Sequence, residues 1–226
     1  MKPLPVFILF NCSVFKLFSF TNLSHLNYSI SVMQDLKQVR TKVFNMYTDS
    51  VKSELIKQIK EKAVVHGKVI LSSGKEADYY VDLRRVTLDS VAAPLVGQAM
   101  LDATKDLDFE AVGGLTLGAD PVATAMMHVA KQNGRNLNSF VVRKEGKAHG
   151  LQRRIEGPDV KGKKVLAVED TSTTGSSVLT AVEALKEAGA TVVGVAVVVD
   201  RGAGQKIIDA GLKYIYVCSL KDLGLN

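Results

Sequence analysis

The chain predicts an α/β fold, a mostly parallel sheet flanked by helices, and three observations carry that expectation. Short, nearly continuous apolar runs recur along it, at Ala111–Gly114, Ser139–Val142, Lys164–Val168 and Thr191–Val199. Helical patterns alternate with them, at Pro121–Gln132 and Ser176–Ala188. Strands that are apolar along their whole length must be covered on both faces, the condition of a parallel sheet between helix layers. Finally, 46% of the 226 residues are hydrophobic and 23% charged, a balance that builds a core and excludes wholesale disorder.

Residues 1–45 read differently from the rest. Pro3–Phe10 is apolar but far shorter than the roughly 20 residues a membrane span needs. No small-residue cleavage site follows it, as a secretory signal would require. An acid-poor leader and a translation start assigned too early both account for the segment. We expect the domain to comprise 46–226, opening at Met46, with 1–45 an extension.

From there the elements follow in order. Val51, Leu55, Ile59 and Ala63 recur at helical spacing, with Asp49 or Ser50 as the expected N-cap. Lys68–Leu71 and Asp78–Leu83 read as two strands around the turn Ser72–Lys75. Asp89-Ser90 is placed to cap a helix reaching Ala103. The alternating strands and helices come next, and Lys213–Cys218 closes the chain as an edge strand.

Charge and cysteines remove several function classes. The formal charge of +6 is concentrated at the start: residues 1–46 hold five bases against one acid, leaving only +2 on 47–226. A general nucleic-acid surface is therefore not expected. Cys12 and Cys218 make no CxxC pair, and four histidines complete no zinc pattern. Such usage fits a reducing, cytoplasmic setting.

Ligands of open α/β sheets bind beyond the carboxyl ends of the strands. There the chain reads Glu169-Asp170-Thr171-Ser172-Thr173-Thr174-Gly175-Ser176-Ser177, directly after Val165–Val168. Consecutive backbone N–H groups, hydroxyls and a helix start near Ser176 make a phosphate cradle. Two carboxylates beside it would repel phosphate, so they suit a sugar diol, whose hydroxyls they can accept. A plain helix cap needs one hydroxyl residue, whereas six stand here. Phosphate and diol together describe a ribose 5-phosphate. A second loop, Arg143-Lys144-Glu145-Gly146-Lys147-Ala148-His149-Gly150, gathers three bases and a histidine after another strand.

The first segment resembles the 5-phosphoribosyl-1-pyrophosphate (PRPP) motif of type I phosphoribosyltransferases, and the second the R-K-x-x-K-x-H-G loop of the orotate phosphoribosyltransferases. Val69–Arg84 is similar to that family's amino-terminal hood, Gly114–Pro121 to its pyrophosphate loop, and Asp200-Arg201 to its D-R pair. The chain departs from common patterns at Ser72 (often Lys), Ala148 (usually an acid) and Leu117-Gly118 (often Tyr-Lys).

The resemblance implies a type I phosphoribosyltransferase fold with a small N-terminal hood, and an enzyme joining orotate to PRPP. Glu169 and Asp170 would hold the ribose hydroxyls, Thr171–Ser177 the 5-phosphate, and Thr173 with Arg201 the orotate. Arg143, Lys144, Lys147 and His149 would neutralise the departing pyrophosphate, Lys147 and His149 as catalytic residues. Mg²⁺ would enter bound to PRPP, with no metal site of the protein's own. The same resemblance implies a homodimer whose active sites are shared. A purine or uracil phosphoribosyltransferase would share the 169–177 segment but not the second loop, and a PRPP-sensing regulator would call for a more basic surface.

Overall fold

The computed structural model describes residues 23–70, 76–144 and 154–225. The chain divides into two compact units, 1–46 and 47–226. The first described element, helix α1, runs Leu23–Lys62. Asp49 and Ser50 therefore lie inside a helix rather than capping one. No glycine or proline interrupts Leu23–Lys62, so the cap-forming residues alone do not stop it. Ser50 turns its hydroxyl to the Tyr47 carbonyl, 2.9 Å away, a local bond such residues make within helices. The predicted core stripe is buried: Val51, Leu55, Ile59 and Ala63 are all at or below 6% exposure.

Strands β1 (Val64–Ile70) and β2 (Glu76–Val81) form an antiparallel pair, starting earlier in the chain than the apolar runs suggested. The expected turn Ser72–Lys75 lies outside the described residues. A short helix α2 (Arg84–Thr87) follows, then α3 (Ala92–Ala103). Asp89 caps α3 as expected, its Oδ1 accepting from the N–H groups of Val91 (3.0 Å) and Ala92 (2.9 Å).

The main sheet has six strands in the order β5-β4-β3-β6-β7-β8. These are β3 (Ala111–Leu115), β4 (Asn138–Val142), β5 (Ile155–Glu156), β6 (Lys164–Ser172), β7 (Thr191–Asp200) and β8 (Tyr214–Ser219). All pairs are parallel except β4–β5, and β8 is the expected edge strand. Helix α4 (Ala119–Gln132) connects β3 to β4, α5 (Ser176–Glu187) connects β6 to β7, and α6 (Gly204–Asp209) precedes β8.

Alternation along the strands puts two cores on opposite faces. Val112, Leu166, Val168, Ala196 and Val198 pack in one core with the buried residues of α1, α3 and α4. Ala111, Val165, Ala167, Val195 and Val197 pack in the other with α5 and Ile207 of α6. The result is a three-layer α/β/α unit, as the runs of apolar residues require.

From β3 the chain moves outward to β4 and β5, then returns to the other side of β3 with β6. This reversal of strand order is the place where a parallel sheet opens a crevice for ligands.

Candidate active site

The crevice is present. A cleft of about 360 Å³ lies at the carboxyl ends of β3 and β6, lined among others by Tyr80, Asp82, Arg84, Thr116, Gly118, Lys144, Glu169, Asp170, Thr171, Ser177 and Arg201.

Its floor is the acid pair. Strand β6 continues to Ser172, four residues beyond the apolar run, because β7 accompanies it with Glu169 opposite Val197 and Ser172 opposite Asp200. Glu169 and Asp170 are thus held by a central strand rather than a loop. Glu169 is only 6% exposed, and burial, then the neighbouring Asp170 charge, push its carboxyl up to about 8. The Asp170 carboxylate accepts the Thr171 N–H at 2.6 Å.

The turn after β3 lies directly against these acids. A Cβ at Gly118 would come within 2.5 Å of Glu169 Oε1 and 2.8 Å of Asp170 Oδ1, so only glycine leaves them in place. Thr116 donates to Asp120 Oδ2 at 2.7 Å and ties this turn to the first turn of α4. Asp120 Oδ1 is buried without a hydrogen-bond partner, and burial raises the Asp120 pKa. The Thr116–Leu117 peptide is cis.

Beyond the acids, the hydroxyl run turns into α5. Gly175 takes φ +72°, and a Cβ there would press to 3.2 Å from Ile207 Cγ1. Thr174 Oγ1 donates to Ser176 Oγ (3.1 Å) and accepts from the Ser176 N–H (3.4 Å), while Lys206 Nζ reaches Ser176 Oγ at 3.4 Å. The start of α5 thus presents N–H groups, hydroxyls and positive dipole to one point, the arrangement that binds a phosphate.

On the far side, Arg201 follows β7. Its N–H bonds to the Ser172 carbonyl at 2.9 Å, while Asp200 Oδ1 accepts from the N–H groups of Gly202 (3.1 Å) and Ala203 (3.2 Å) and from the Tyr214 hydroxyl (2.7 Å). Burial and that bond to Asp200 raise the Tyr214 pKa, so it remains the donor.

Known proteins share this architecture. The phosphoribosyl transferase domain family matches residues 117–220. The chain is 67% identical over 179 residues to the orotate phosphoribosyltransferase of Streptomyces coelicolor, spanning 78% of this chain and 98% of that one. The chain belongs to the orotate phosphoribosyltransferase family. A Corynebacterium glutamicum orotate phosphoribosyltransferase is 62% identical over 184 residues, covering 80% of this chain and 98% of its own length. The crystal structure of the Mycobacterium tuberculosis orotate phosphoribosyltransferase in complex with PRPP superposes with a TM-score of 0.68 at 51% identity, covering 77% of this chain and 99% of that one.

Among the residues that resemblance to orotate phosphoribosyltransferases singled out, the structure brings Lys144, Glu169, Asp170, Thr171, Ser177 and Arg201 into one cleft. Ser172 ends β6, Thr173, Thr174 and Gly175 form the adjoining turn, and Ser176 opens α5. Arg143 turns its guanidinium to Glu156, 3.6 Å away, and is not among the residues lining the cleft. Lys147 and His149 lie outside the described residues. Thr116 and Gly118, from the segment read as the pyrophosphate loop, also line the cleft, as do Tyr80, Asp82 and Arg84, which had not been singled out as site residues. The hood pattern contained the signal for Asp82 and Arg84, but only the fold shows that this segment faces β6. Among the described residues, no three His, Cys, Asp or Glu side chains are grouped to hold a metal ion. No described helix is long and apolar enough to cross a membrane.

Proposed function

We infer that this chain is an orotate phosphoribosyltransferase, converting orotate and PRPP to orotidine 5′-phosphate and pyrophosphate for pyrimidine biosynthesis. The observation that carries the reading is the pairing, across one cleft, of the buried Glu169 and the half-buried Asp170 with the hydroxyl-lined start of α5, alongside Arg201. The acids accept the two ribose hydroxyls, Thr171–Ser177 take the 5-phosphate, and Thr173 with Arg201 hold orotate through its carboxylate and ring.

The orotate ring nitrogen forms a bond to the anomeric carbon as the carbon–oxygen bond to pyrophosphate breaks. No protein nucleophile is needed, so the chain acts by positioning and by compensating charge. Negative charge grows on the leaving oxygens, where Lys144 reaches the cleft. Lys147, His149 and Arg143 complete this compensation in the reading, with His149 able to give a proton to pyrophosphate. Mg²⁺, when bound together with PRPP, would supply neutralisation of the pyrophosphate charge. Glu169, Asp170 and the hydroxyls of Thr171 and Ser177 would offer the oxygen donors that this hard ion takes.

The enzyme is a cytoplasmic homodimer in which the loop carrying Lys147 completes the partner's site. Residues 46–226 form the phosphoribosyltransferase domain and 1–45 an extension to it. Support for that division comes from the Streptomyces relative, 98% of whose length is matched by 179 residues of this chain.

The deciding experiment offers purified protein PRPP and Mg²⁺ with orotate, uracil or adenine in turn. Turnover of orotate alone is the expected result. Preference for uracil or adenine would replace the reading with another base specificity on the same fold.

A further inference from the structure

The reaction proposed above leaves one cation in the cleft without a task. Arg84, Lys144 and Arg201 are the arginines and lysines among the described residues lining it. Lys144 and Arg201 have assigned partners in that reading, and Arg84 has none.

Arg84 is unusually well placed for a surface arginine. It opens α2 directly after the cleft-lining stretch Tyr80–Leu83, and that stretch is pinned on both sides. Val81, Leu83 and Val86 are buried at 3%, 1% and 0% exposure, and the Asp82 N–H bonds to the Ala63 carbonyl at 3.0 Å. The Asp82 carboxylate accepts from Arg84 Nε at 2.9 Å. A guanidinium carries five N–H donors in a planar fork. With Nε spent on Asp82, the two terminal nitrogens remain to form the bidentate face that recognises phosphate or carboxylate oxygens.

Which anion they take follows from where the charge falls. Asp170 lies close enough to contribute to the raised basicity of Arg84, after Asp82 and Tyr80. The Thr116–Gly118 turn meets the same acid, for a Cβ built at Gly118 would stand 2.8 Å from Asp170 Oδ1 and 2.5 Å from Glu169 Oε1. A ribose bound at this acid pair carries its pyrophosphate on the carbon next to the hydroxyls the acids hold. Arg201 stands apart, bonded through its backbone to Ser172 at the opposite end of the acid segment.

We propose that Arg84, oriented by Asp82, is a pyrophosphate-binding residue that grips PRPP by its leaving group. This rests on the proposed reaction, which supplies a substrate whose pyrophosphate is shared by PRPP and the product but not by orotate or the nucleotide. Asp82 is a positioning residue, since it acts through the guanidinium.

That asymmetry supplies the test. Arg84→Gln is expected to raise KM for PRPP forward, and for pyrophosphate in the reverse reaction, at least about tenfold, the loss of a charge-assisted pair. KM for orotate and for orotidine 5′-phosphate should stay within about twofold, since neither shares this contact. Arg84→Lys keeps the charge without the fork, so the same pattern should appear at smaller amplitude. It also guards against a folding defect, which thermal melting of both variants reads directly. Asp82→Asn should weaken pyrophosphate in the Arg84 background and add nothing in Arg84→Gln, as coupled partners do. An equal rise for orotate, or no change for pyrophosphate, overturns the proposal. Calorimetric titration of the full chain with Mg²⁺-pyrophosphate keeps the two claims apart. A protein that fails to turn over orotate yet loses pyrophosphate binding in Arg84→Gln refutes the orotate reading and leaves this inference standing.

Discussion

Replacing Gly118 by alanine adds a single methyl group against both acids of the cleft floor. The new Cβ would stand 2.5 Å from Glu169 Oε1, where a carbon–oxygen contact normally needs about 3.3 Å. The carboxylate must therefore retreat by about 0.8 Å, and Asp170 Oδ1, at 2.8 Å from the same point, must retreat by about 0.5 Å. Because the clashing atoms are side-chain ends, the fold yields cheaply. A stability loss of about 1 kcal/mol, at the lower edge of overpacking costs, is expected. Catalysis tolerates such a shift far less, since displacing reacting groups by about 1 Å costs on the order of a hundredfold, or about 2.7 kcal/mol. Initial rates with varied PRPP at saturating orotate, paired with a thermal melt, separate the two costs. The expected outcome is a melting temperature lowered by roughly 2–4 °C and kcat/KM for PRPP lowered about a hundredfold. A value within about threefold of wild type would show that the acids need not stand where they do, and would sink their assignment to the ribose.

Three further outcomes are expected. Arg201→Ala should raise the orotate requirement far more than that for PRPP, by an amount on the order of 2–3 kcal/mol for a lost charge-assisted contact; equal weakening of both substrates argues against the assignment. Mixing inactive Lys147→Ala and Asp170→Asn proteins after dissociation should restore about a quarter of wild-type activity, because half the dimers are mixed and one site in each is intact; no recovery from proven mixed dimers means Lys147 serves its own subunit. Glu169 holds its proton to about pH 8 when folded but loses it near 4.5 when unfolded. The folded chain then binds more protons between those values, so this acid's contribution to stability is present at low pH and is lost as pH rises towards 8. Melting curves of wild type and Glu169→Gln from pH 5 to pH 8 should diverge accordingly, and parallel curves would refute the shift.

Much of this was readable in the residues, for reasons that differ by element. Apolar runs that need cover on both faces marked β3, β4, β6 and β7, and hydroxyls before an amphipathic run marked the start of α5 at Ser176. What escaped depends on partners distant in sequence. Glu169–Ser172 belong to β6 because β7 pairs with them, although acids are poor strand formers alone. β5 is two residues long and exists through its antiparallel partner β4. Asp49 and Ser50 carry a capping signal that an uninterrupted helix overrides. Asp82 and Arg84 are ordinary exposed charges until β2 and α2 deliver them to the cleft.

If Arg201 holds orotate as proposed, Asp200 gives the edge of the sheet a say in substrate choice. Its carboxylate joins the turn after β7 to the Tyr214 hydroxyl on β8, so the arginine between Asp200 and Gly202 is steadied from the outermost strand. Edge strands are the part of a sheet that loosens first. Heat, or an aromatic lost from β8, would then show itself as failing recognition of orotate before the cradle for phosphate gave way. On the proposed assignments, the two halves of the substrate pair would rest on foundations of unequal firmness, with the sugar phosphate anchored at the centre and the base at the rim.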